Sequence, residues 1–347
     1  MEKRGKNCTI RELARYVGLS TCTVSKVLND PTGELAIPEG TRRKVREAAR
    51  ELNYVPNVNA QRFFKRRSQV IGLLVPPQDE MGHNVFHDTH FVEILSGIER
   101  ALSTTSYNLL LLFNRPEYKE GNRYAGMFRS GFVDGLLIWG AHRSEGYWQE
   151  LVELTQPRIF LTSTPDFSPD EPLHYVASDY EQSAYGVVSR LKAQGCRRFC
   201  WLAGMQDTSI ISQLSAGMKR AGLLLEESAI RYSDYIETDG ERLAAELLDQ
   251  GEFDAVLATA PQLARGAVRY IEAHRLPVQV GSFDGQRVTR LPSDHYISAL
   301  TNDVEIGLKA MEKMFSLIEG STETVQIKVP VDFTTKEVIS KVFNFGG

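Results

Sequence analysis

Cysteine is scarce in this 347-residue chain: Cys8, Cys22, Cys196 and Cys200 are the whole complement. They are too few and too scattered to staple a fold of this size, which excludes a disulfide scaffold. Long apolar runs are missing too. The longest, such as Leu109 to Phe113, fall far short of the ~20 residues a membrane span needs. The N-terminus opens Met-Glu-Lys-Arg-Gly-Lys with no apolar stretch behind it, so no secretory signal is expected and a cytoplasmic location is. Catalytic signatures are lacking as well: there is no Gly-x-x-x-x-Gly-Lys-Ser/Thr loop, no Gly-x-Gly-x-x-Gly after a strand and no Gly-x-Ser-x-Gly elbow. What is present is ordinary in bulk, 42% hydrophobic and 24% charged, a balance that excludes a disordered or collagenous chain.

Charge is distributed unevenly. Residues 1–67 hold 15 Lys/Arg against 7 Asp/Glu, while the remainder holds 25 against 37. A basic head on an acidic body points to a polyanionic partner, and nucleic acid is the leading candidate. The bland alternative is a solvated basic face.

The head resolves into three amphipathic helices. Ile10, Leu13, Ala14 and Val17 form one apolar stripe at i, i+3, i+4, i+7. Thr9 and Glu12 make a capping box at its start, and Gly18 ends it. Ser20 is the natural N-cap of a second helix whose buried face is Val24, Val27 and Leu28. Its opposite stripe is Cys22, Ser25, Lys26 and Asn29, flanked by Thr21 and Thr23, without a single acid. A third helix turns Val45, Ala48, Ala49 and Leu52 inward and Arg42, Arg43, Lys44, Arg46 and Arg50 mostly outward. Two helices on a tight glycine turn, the second showing short polar and cationic groups, describe a helix-turn-helix that can sink into a major groove. A generic three-helix bundle explains the stripes equally well, but not the acid-free face.

The run Thr9-Ile-Arg-Glu-Leu-Ala-Arg-Tyr-Val-Gly-Leu-Ser-Thr-Cys-Thr-Val-Ser-Lys-Val-Leu-Asn29 closely resembles the DNA-binding head of the LacI/GalR family of bacterial transcriptional regulators. So do Thr41-Arg-Arg-Lys-Val and Glu51-Leu-Asn-Tyr-Val-Pro-Asn57. The loop over residues 30–36 departs from the family by being longer. The resemblance implies that Thr21 and Cys22 read bases, that Thr9, Ser20, Thr23, Ser25, Asn29 and Tyr54 hold phosphates, and that Lys26 takes the usual basic place. A redox-sensing role for Cys22 is the lesser reading beside a small groove-facing side chain. In the segment from Pro56 to Arg67, basic and too short to be a stable isolated helix, the resemblance implies a hinge that folds on DNA. There Phe63 is the minor-groove wedge, where the family usually has Leu, and Asn57, Ala60 and Gln61 are flanking contacts; such wedges unstack a base step and bend the duplex. Packing of Phe63 and Phe64 onto the body is the alternative.

The body reads as alternating strands and helices. Strands are expected at 70–76, 107–113, 133–139, 159–161, 199–203, 255–258 and 278–281, with helices near 182–193, 217–224, 241–249 and 262–273. An apolar stripe of Phe91, Ile94, Leu95, Ile98 and Leu102 and a polar helical stretch to Ser130 fall between the first strands. The expected fold is a small all-α helix-turn-helix head plus an α/β body of two lobes with parallel sheets. Ligands of such sheets bind at the carboxyl ends of strands, here in a cleft between the lobes. Gly131-Phe-Val-Asp-Gly-Leu-Leu-Ile138, Ala193-Gln-Gly-Cys-Arg-Arg-Phe199 and Ser282-Phe-Asp-Gly285 also resemble signatures of the same family, whose body is similar to periplasmic sugar-binding proteins. The expected division is a head over 1–56, a hinge over 57–68 and a body over 69–347. Within the body, the first lobe takes about 69–165 plus 302–327 and the second about 166–301 plus 328–347.

The residues expected to face the effector are His90, Trp139, Asp284 and Asn302, of which Asp284 and Asn302 stand where the resemblance implies ligand contacts. Asp284 stands where the family grips ligand hydroxyls, and a carboxylate accepts two such hydrogen bonds. Elsewhere the pocket departs from the family: Leu214 replaces an Arg, Ala260-Pro261 an Asn-Asp pair, and Thr162 an Asp. These losses argue against a typical sugar pose. Trp139 either stacks on a sugar ring or fills the lobe. His83, His87 and His90 in one long loop invite a metal reading, but their weak spacing and the lack of a nearby cysteine favour solvated or ligand-facing histidines. Neither metal nor cofactor is expected. Cys196 and Cys200 read as inert packing.

The expected function is therefore a homodimeric repressor, not an enzyme, whose grip on double-stranded operator DNA is set by a small carbohydrate-like molecule. With no heptad tail before Gly347, dimers rather than tail-linked tetramers are expected. Two other readings stay open: a helix-turn-helix fused to a metabolite-processing enzyme, and a regulator controlled by a protein partner or by nothing.

Overall fold

The computed structural model describes residues 8–30, 35–55, 67–75, 84–113, 123–141, 156–166, 173–233, 235–285 and 296–334. The chain forms two compact units, Met1–Ser68 and Gln69–Gly347.

Among the described residues, the first unit holds three helices: α1 (Ile10–Val17), α2 (Thr21–Leu28) and α3 (Glu39–Glu51). Thr9 and Glu12 close the expected capping box on α1, and Gly18 ends it in the left-handed region at φ 70°. Leu13, Ala14, Val17, Val24, Val27, Val45 and Ala48 bury their side chains together as the core of the unit. Arg42 differs from expectation. It is buried, not outward, and its guanidinium meets Asp30 at 2.7 Å with side chains only 4% and 6% exposed. It also donates to the carbonyls of Ile37 (3.1 Å) and Leu35. A buried cation needs such partners; here they tie both ends of the long 30–36 loop to α3.

The second unit is built on two six-stranded sheets. The first contains β1 (Val70–Val75), β2 (Asn108–Phe113), β3 (Gly135–Trp139), β4 (Arg158–Leu161), β5 (Tyr175–Ser178) and β11 (Gln326–Val329), in the order β11-β5-β4-β3-β1-β2. All its pairs are parallel. The second contains β6 (Phe199–Ala203), β7 (Ile230–Tyr232), β8 (Ala255–Ala258), β9 (Gln279–Gly285), β10 (Tyr296–Leu300) and β12 (Asp332–Phe333), in the order β12-β10-β9-β8-β6-β7. Only its β10–β12 edge is antiparallel. Strands such as Val70–Val75 and Phe199–Ala203 are buried along their whole length, as parallel sheets covered on both faces require.

The covering helices explain that pattern. In the first lobe, α4 (Thr89–Leu102) lies N-terminal to α5 (Arg123–Arg129) in the chain. In the second come α6 (Tyr180–Ala193), α7 (Ser209–Arg220), α8 (Glu237–Gln250) and α9 (Pro261–His274), and α10 (Asp303–Ile318) returns to the first. Ile71, Leu73 and Val75 pack with α4 and α10, while Val70 and Leu74 face Phe128 of α5. The second sheet divides likewise, Trp201 and Leu257 toward α6 and α7, Leu202 and Val256 toward α8 and α9.

Two sequence expectations need correction. The lobe boundary near 165 lies too early, because Tyr175–Ser178 hydrogen-bonds between β4 and β11 in the first sheet. The helix expected near 217–224 runs over Ser209–Arg220 and stops before Gly222, at φ 70°; its inward stripe, Ile211, Leu214 and Met218, starts behind a polar lead-in.

Candidate functional site

On the head, α2 presents the polar stripe. Ser20 caps the helix, its Oγ accepting from the Thr23 amide at 3.0 Å and lying 2.8 Å from Thr23 Oγ1. Asn29 closes the other end, its Nδ2 donating to the Ser25 carbonyl (2.9 Å) and to Ser25 Oγ (3.2 Å). Thr9 is likewise engaged with Glu12. These local bonds hold the backbone at the ends of α1 and α2. Thr21, Cys22 and Lys26 are exposed, and none of the three makes a side-chain hydrogen bond or ion pair among the described residues. Tyr54 is half-buried against the head core, and burial raises its phenol pKa. Asn57, Ala60, Gln61 and Phe63 lie outside the described residues.

In the body, the carboxyl ends of both sheets converge on His90, in the first turn of α4. Its Nδ1 lies 2.9 Å from Asp303 Oδ2, and its Nε2 lies 3.2 Å from Asp284 Oδ2. The first contact is a hydrogen bond; the second is close enough for ionic attraction but off line for one. Asp284 belongs to β9 in the second lobe, and Asp303 opens α10 at the crossover. Thr301 Oγ1 donates to Asp303 Oδ2 at 3.1 Å or to the Gly285 carbonyl at 3.1 Å. A second link between lobes runs from the Thr164 amide to Ser209 Oγ at 2.9 Å.

The electrostatics follow from this crowding. Burial and the neighbouring carboxylates of Asp303 and Asp88 push the Asp284 carboxyl up to about 7, against the lowering pull of His90. Burial opposes charging of His90, yet Asp284, Asp303 and Asp88 together hold its pKa well above the ordinary value. Tyr180 and Tyr235 face the same carboxylates, and both phenols are raised, chiefly by burial. The ring of Tyr235 lies where a Cβ at position 204 would sit, so Gly204 makes room for it.

Several polar atoms at this end of the sheets have neither water contact nor a hydrogen-bond partner: Asp284 Oδ1, Trp139 Nε1, Ser178 Oγ and Gln262 Oε1. Trp139 packs its ring 5.2 Å from that of Phe91 and is 8% exposed; it fills the lobe and still leaves its indole N–H unused. Buried polar groups without partners are uncommon in folded proteins, and their gathering at strand ends marks a place for a polar ligand.

The structure thus brings His90 and Asp284 together, with Trp139 next to them through Phe91. Asn302 stands apart: it is exposed and its Oδ1 caps α10, accepting from the Glu305 amide at 3.4 Å. The sequence reading missed Asp303, Thr301, Tyr180 and Tyr235. The departures it noted are real in space. Leu214 is buried in the core of the second lobe, and Ala260 leads into α9 with no side-chain cap. Thr162 ends β4 at φ 67°, a left-handed conformation unusual for a β-branched residue. His87 ends a short 3-10 turn and is exposed, His83 lies outside the described residues, and no group of metal-ligating side chains gathers among the described ones. No helix among the described residues is long and apolar enough to cross a membrane.

Comparison with known proteins converges on one assignment. Residues 9–57 match the profile of bacterial regulatory proteins of the lacI family. Residues 68–337 match that of periplasmic binding proteins and the sugar binding domain of the LacI family. The HTH-type transcriptional regulator MalR of Streptococcus pneumoniae is 27% identical over 325 residues, covering 92% of this chain and 95% of its own. The HTH-type transcriptional regulator CelR of Thermobifida fusca is 28% identical over 347 residues, covering 97% and 99%. The solved structure of a transcriptional regulator CelR–cellobiose complex superposes with a TM-score of 0.68 at 26% identity, covering 94% of this chain and 98% of that one. With an exposed, acid-free recognition helix at one end and a two-lobed cleft body matching over most of the sequence, the chain belongs to the LacI family of DNA-binding transcriptional regulators.

Proposed function

We propose that the protein is a homodimeric repressor that reads a two-fold operator and is controlled by a carbohydrate-like effector held between the lobes of its body. One head reads a half-site, so a palindrome takes two. Thr21, Cys22 and Lys26 face the bases; Thr9, Ser20, Thr23, Ser25, Asn29 and Tyr54 position the backbone of the duplex. Asn57, Ala60, Gln61 and Phe63 act at the minor groove next to the half-site, with Phe63 as the wedge.

The observation that carries the effector reading is the set of unsatisfied polar atoms around His90 and Asp284. A polyol supplies donors for Asp284 Oδ1 and Gln262 Oε1 and an acceptor for the Trp139 N–H. Asn302 flanks this set at the crossover. An effector that prefers one separation of the lobes shifts the population able to hold DNA. No metal or cofactor takes part, and the ligand is bound without being turned over, in the cytoplasm. The CelR–cellobiose complex makes small saccharides the first compounds to try.

A thermal-shift screen of mono- and disaccharides on the full chain tests this. Stabilisation grows as the logarithm of ligand concentration above Kd, and the same compound changes operator affinity and is recovered unaltered. Conversion of the compound to a product favours the enzyme alternative and removes the proposal.

A further inference from the structure

Asp284 stands where β9 stops being a regular strand. The register of β9 against β10 slips between Ser298, opposite Ser282, and Leu300, opposite Gly285. Phe283 and Asp284 therefore share the place opposite one residue, Ala299. On the other side, β8 keeps pace with β9 only as far as Ala258, opposite Ser282. A bulge of this kind re-aims a side chain, and bulges gather beside functional sites for that reason. The ladder that fixes Ser282 does not fix Asp284, so other groups must.

The carbonyls on either side of Asp284 are both held from outside β9. After it, the Gly285 carbonyl accepts from the Thr301 amide at 2.9 Å and lies 3.1 Å from Thr301 Oγ1. A Cβ at position 285 would overlap the Ser298 hydroxyl, so glycine is required there. Before it, the Phe283 carbonyl accepts from Ser183 Oγ of α6, across 100 positions of sequence. Ser183 and Phe283 are wholly buried, where a carbonyl without a donor is costly. A helical serine can turn its hydroxyl back on the carbonyl four residues earlier. Here that carbonyl belongs to Asp179 and is engaged by the Ser183 amide at 2.9 Å, while the hydroxyl leaves its own helix for β9. Tyr180, one turn earlier on α6, bears on the same Asp284 carboxyl. The opening of α6 is thus the bed on which the bulge rests.

We propose that Ser183 is a positioning residue of the effector site: its bond to the Phe283 carbonyl holds the bulge that aims Asp284 at the effector. This rests on the carbohydrate reading above and adds to it a residue that itself touches no effector atom. A binding group keeps its affinity only while the groups around it lock its geometry. Without the Ser183 hydroxyl the bulge relaxes and the Asp284 carboxyl turns toward water. It then meets the effector less well, and it also releases its proton more readily, because burial no longer penalises the ionised form as strongly.

The test uses the full chain as wild type, Ser183→Ala, Ser183→Thr, Asp284→Asn and the double variant Ser183→Ala/Asp284→Asn. Carbon-13 NMR of the aspartate carboxyl carbons follows the titration of Asp284, whose signal is identified by its loss in Asp284→Asn. Calorimetry measures the binding of glucose and of cellobiose. The inference expects Ser183→Ala to lower the midpoint of the Asp284 titration by about one pH unit. It expects the same variant to weaken saccharide binding about tenfold, as the loss of an orienting hydrogen bond does at other binding sites. Ser183→Thr, which keeps the hydroxyl, restores both. With Asp284→Asn already in place, Ser183→Ala adds no further loss of affinity, because residues acting through one another are not additive. A serine that only stabilises the fold lowers the thermal midpoint and leaves the Asp284 titration where it was. That outcome, or a full second loss of affinity in the double variant, overturns the inference and leaves the carbohydrate reading intact. Binding of neither sugar, nor of any other in the screen, by wild type removes the carbohydrate reading; the titration alone then upholds or overturns the positioning of Asp284.

Discussion

Lys26 is the one cation on the exposed stripe of α2, among Thr21, Cys22, Ser25 and Asn29, and its side chain has no hydrogen bond or ion pair among the described residues. Its replacement by Ala is expected to weaken operator binding and to reduce the slope of log affinity against log salt by about one. Fluorescence anisotropy over a salt series checks this; an unchanged slope contradicts a DNA-facing position. Arg42 shows how a stripe reading fails at a single residue. Helical periodicity ranked it with its basic neighbours as outward, but Asp30 and two carbonyls gave its guanidinium a buried place. Losing one partner of such a pair costs about 3–5 kcal/mol, so Arg42→Met is expected to unfold the head at lower denaturant than wild type. His90 and Asp303 teach the same lesson over a longer span. His90 was legible as a residue of the first cleft loop and Asp284 as a ligand position through the family resemblance; their contact was not. The Asp303 contact, across 213 positions of sequence, is made by topology and has no local signature; the adjacent Asn302 turns its Oδ1 to the cap of α10.

At the scale of elements, the alternation of buried strands and amphipathic helices was readable because parallel strands covered on both faces are nearly continuous apolar runs. Phe199–Ala203 and Ala255–Ala258 fall where the sequence places them. β5 was not readable: four residues, Tyr-Val-Ala-Ser, set beside polar neighbours, become a strand only because β4 and β11 flank them. Misplacing β5 moved the expected lobe boundary with it. What joins the helices is equally hidden in composition. Gly97 of α4 sits against α10 so closely that a Cβ there would lie 2.1 Å from the Val304 carbonyl oxygen and 3.0 Å from the Gly307 Cα. Backbone atoms cannot yield as side chains do, so Gly97→Ala is expected to part the two helices and destabilise the body by about 1–3 kcal/mol, the range for overpacked cores. A thermal midpoint equal to wild type contradicts that contact.

For the whole molecule, the carboxylate–imidazolium cluster makes stability depend on pH. The Asp284 carboxyl, raised from 3.8 to about 7, holds its proton more tightly in the native state than in the unfolded chain. Its contribution is therefore full below the unfolded value and is lost as pH rises through about 7. His90, raised above 6.5, acts in the same direction: its contribution is present below 6.5 and lost as pH climbs through the higher native value. The body is expected to melt at lower temperature at about pH 8.5 than at about pH 6, with Asp284→Asn flattening the trend; an identical trend in the variant contradicts the assignment.

The central claim, that a basic reader and a cleft body together form an effector-controlled switch on DNA, is tested most directly by operator binding itself. Genomic fragments retained by the full chain are sequenced, and the preferred fragment is titrated in the presence and absence of the compound found by the thermal-shift screen. The account predicts a palindromic site bound about a thousandfold or more tighter than bulk DNA, with the compound shifting that affinity by about 5- to 150-fold. Equal affinity for every fragment, unmoved by any compound that stabilises the body, contradicts it.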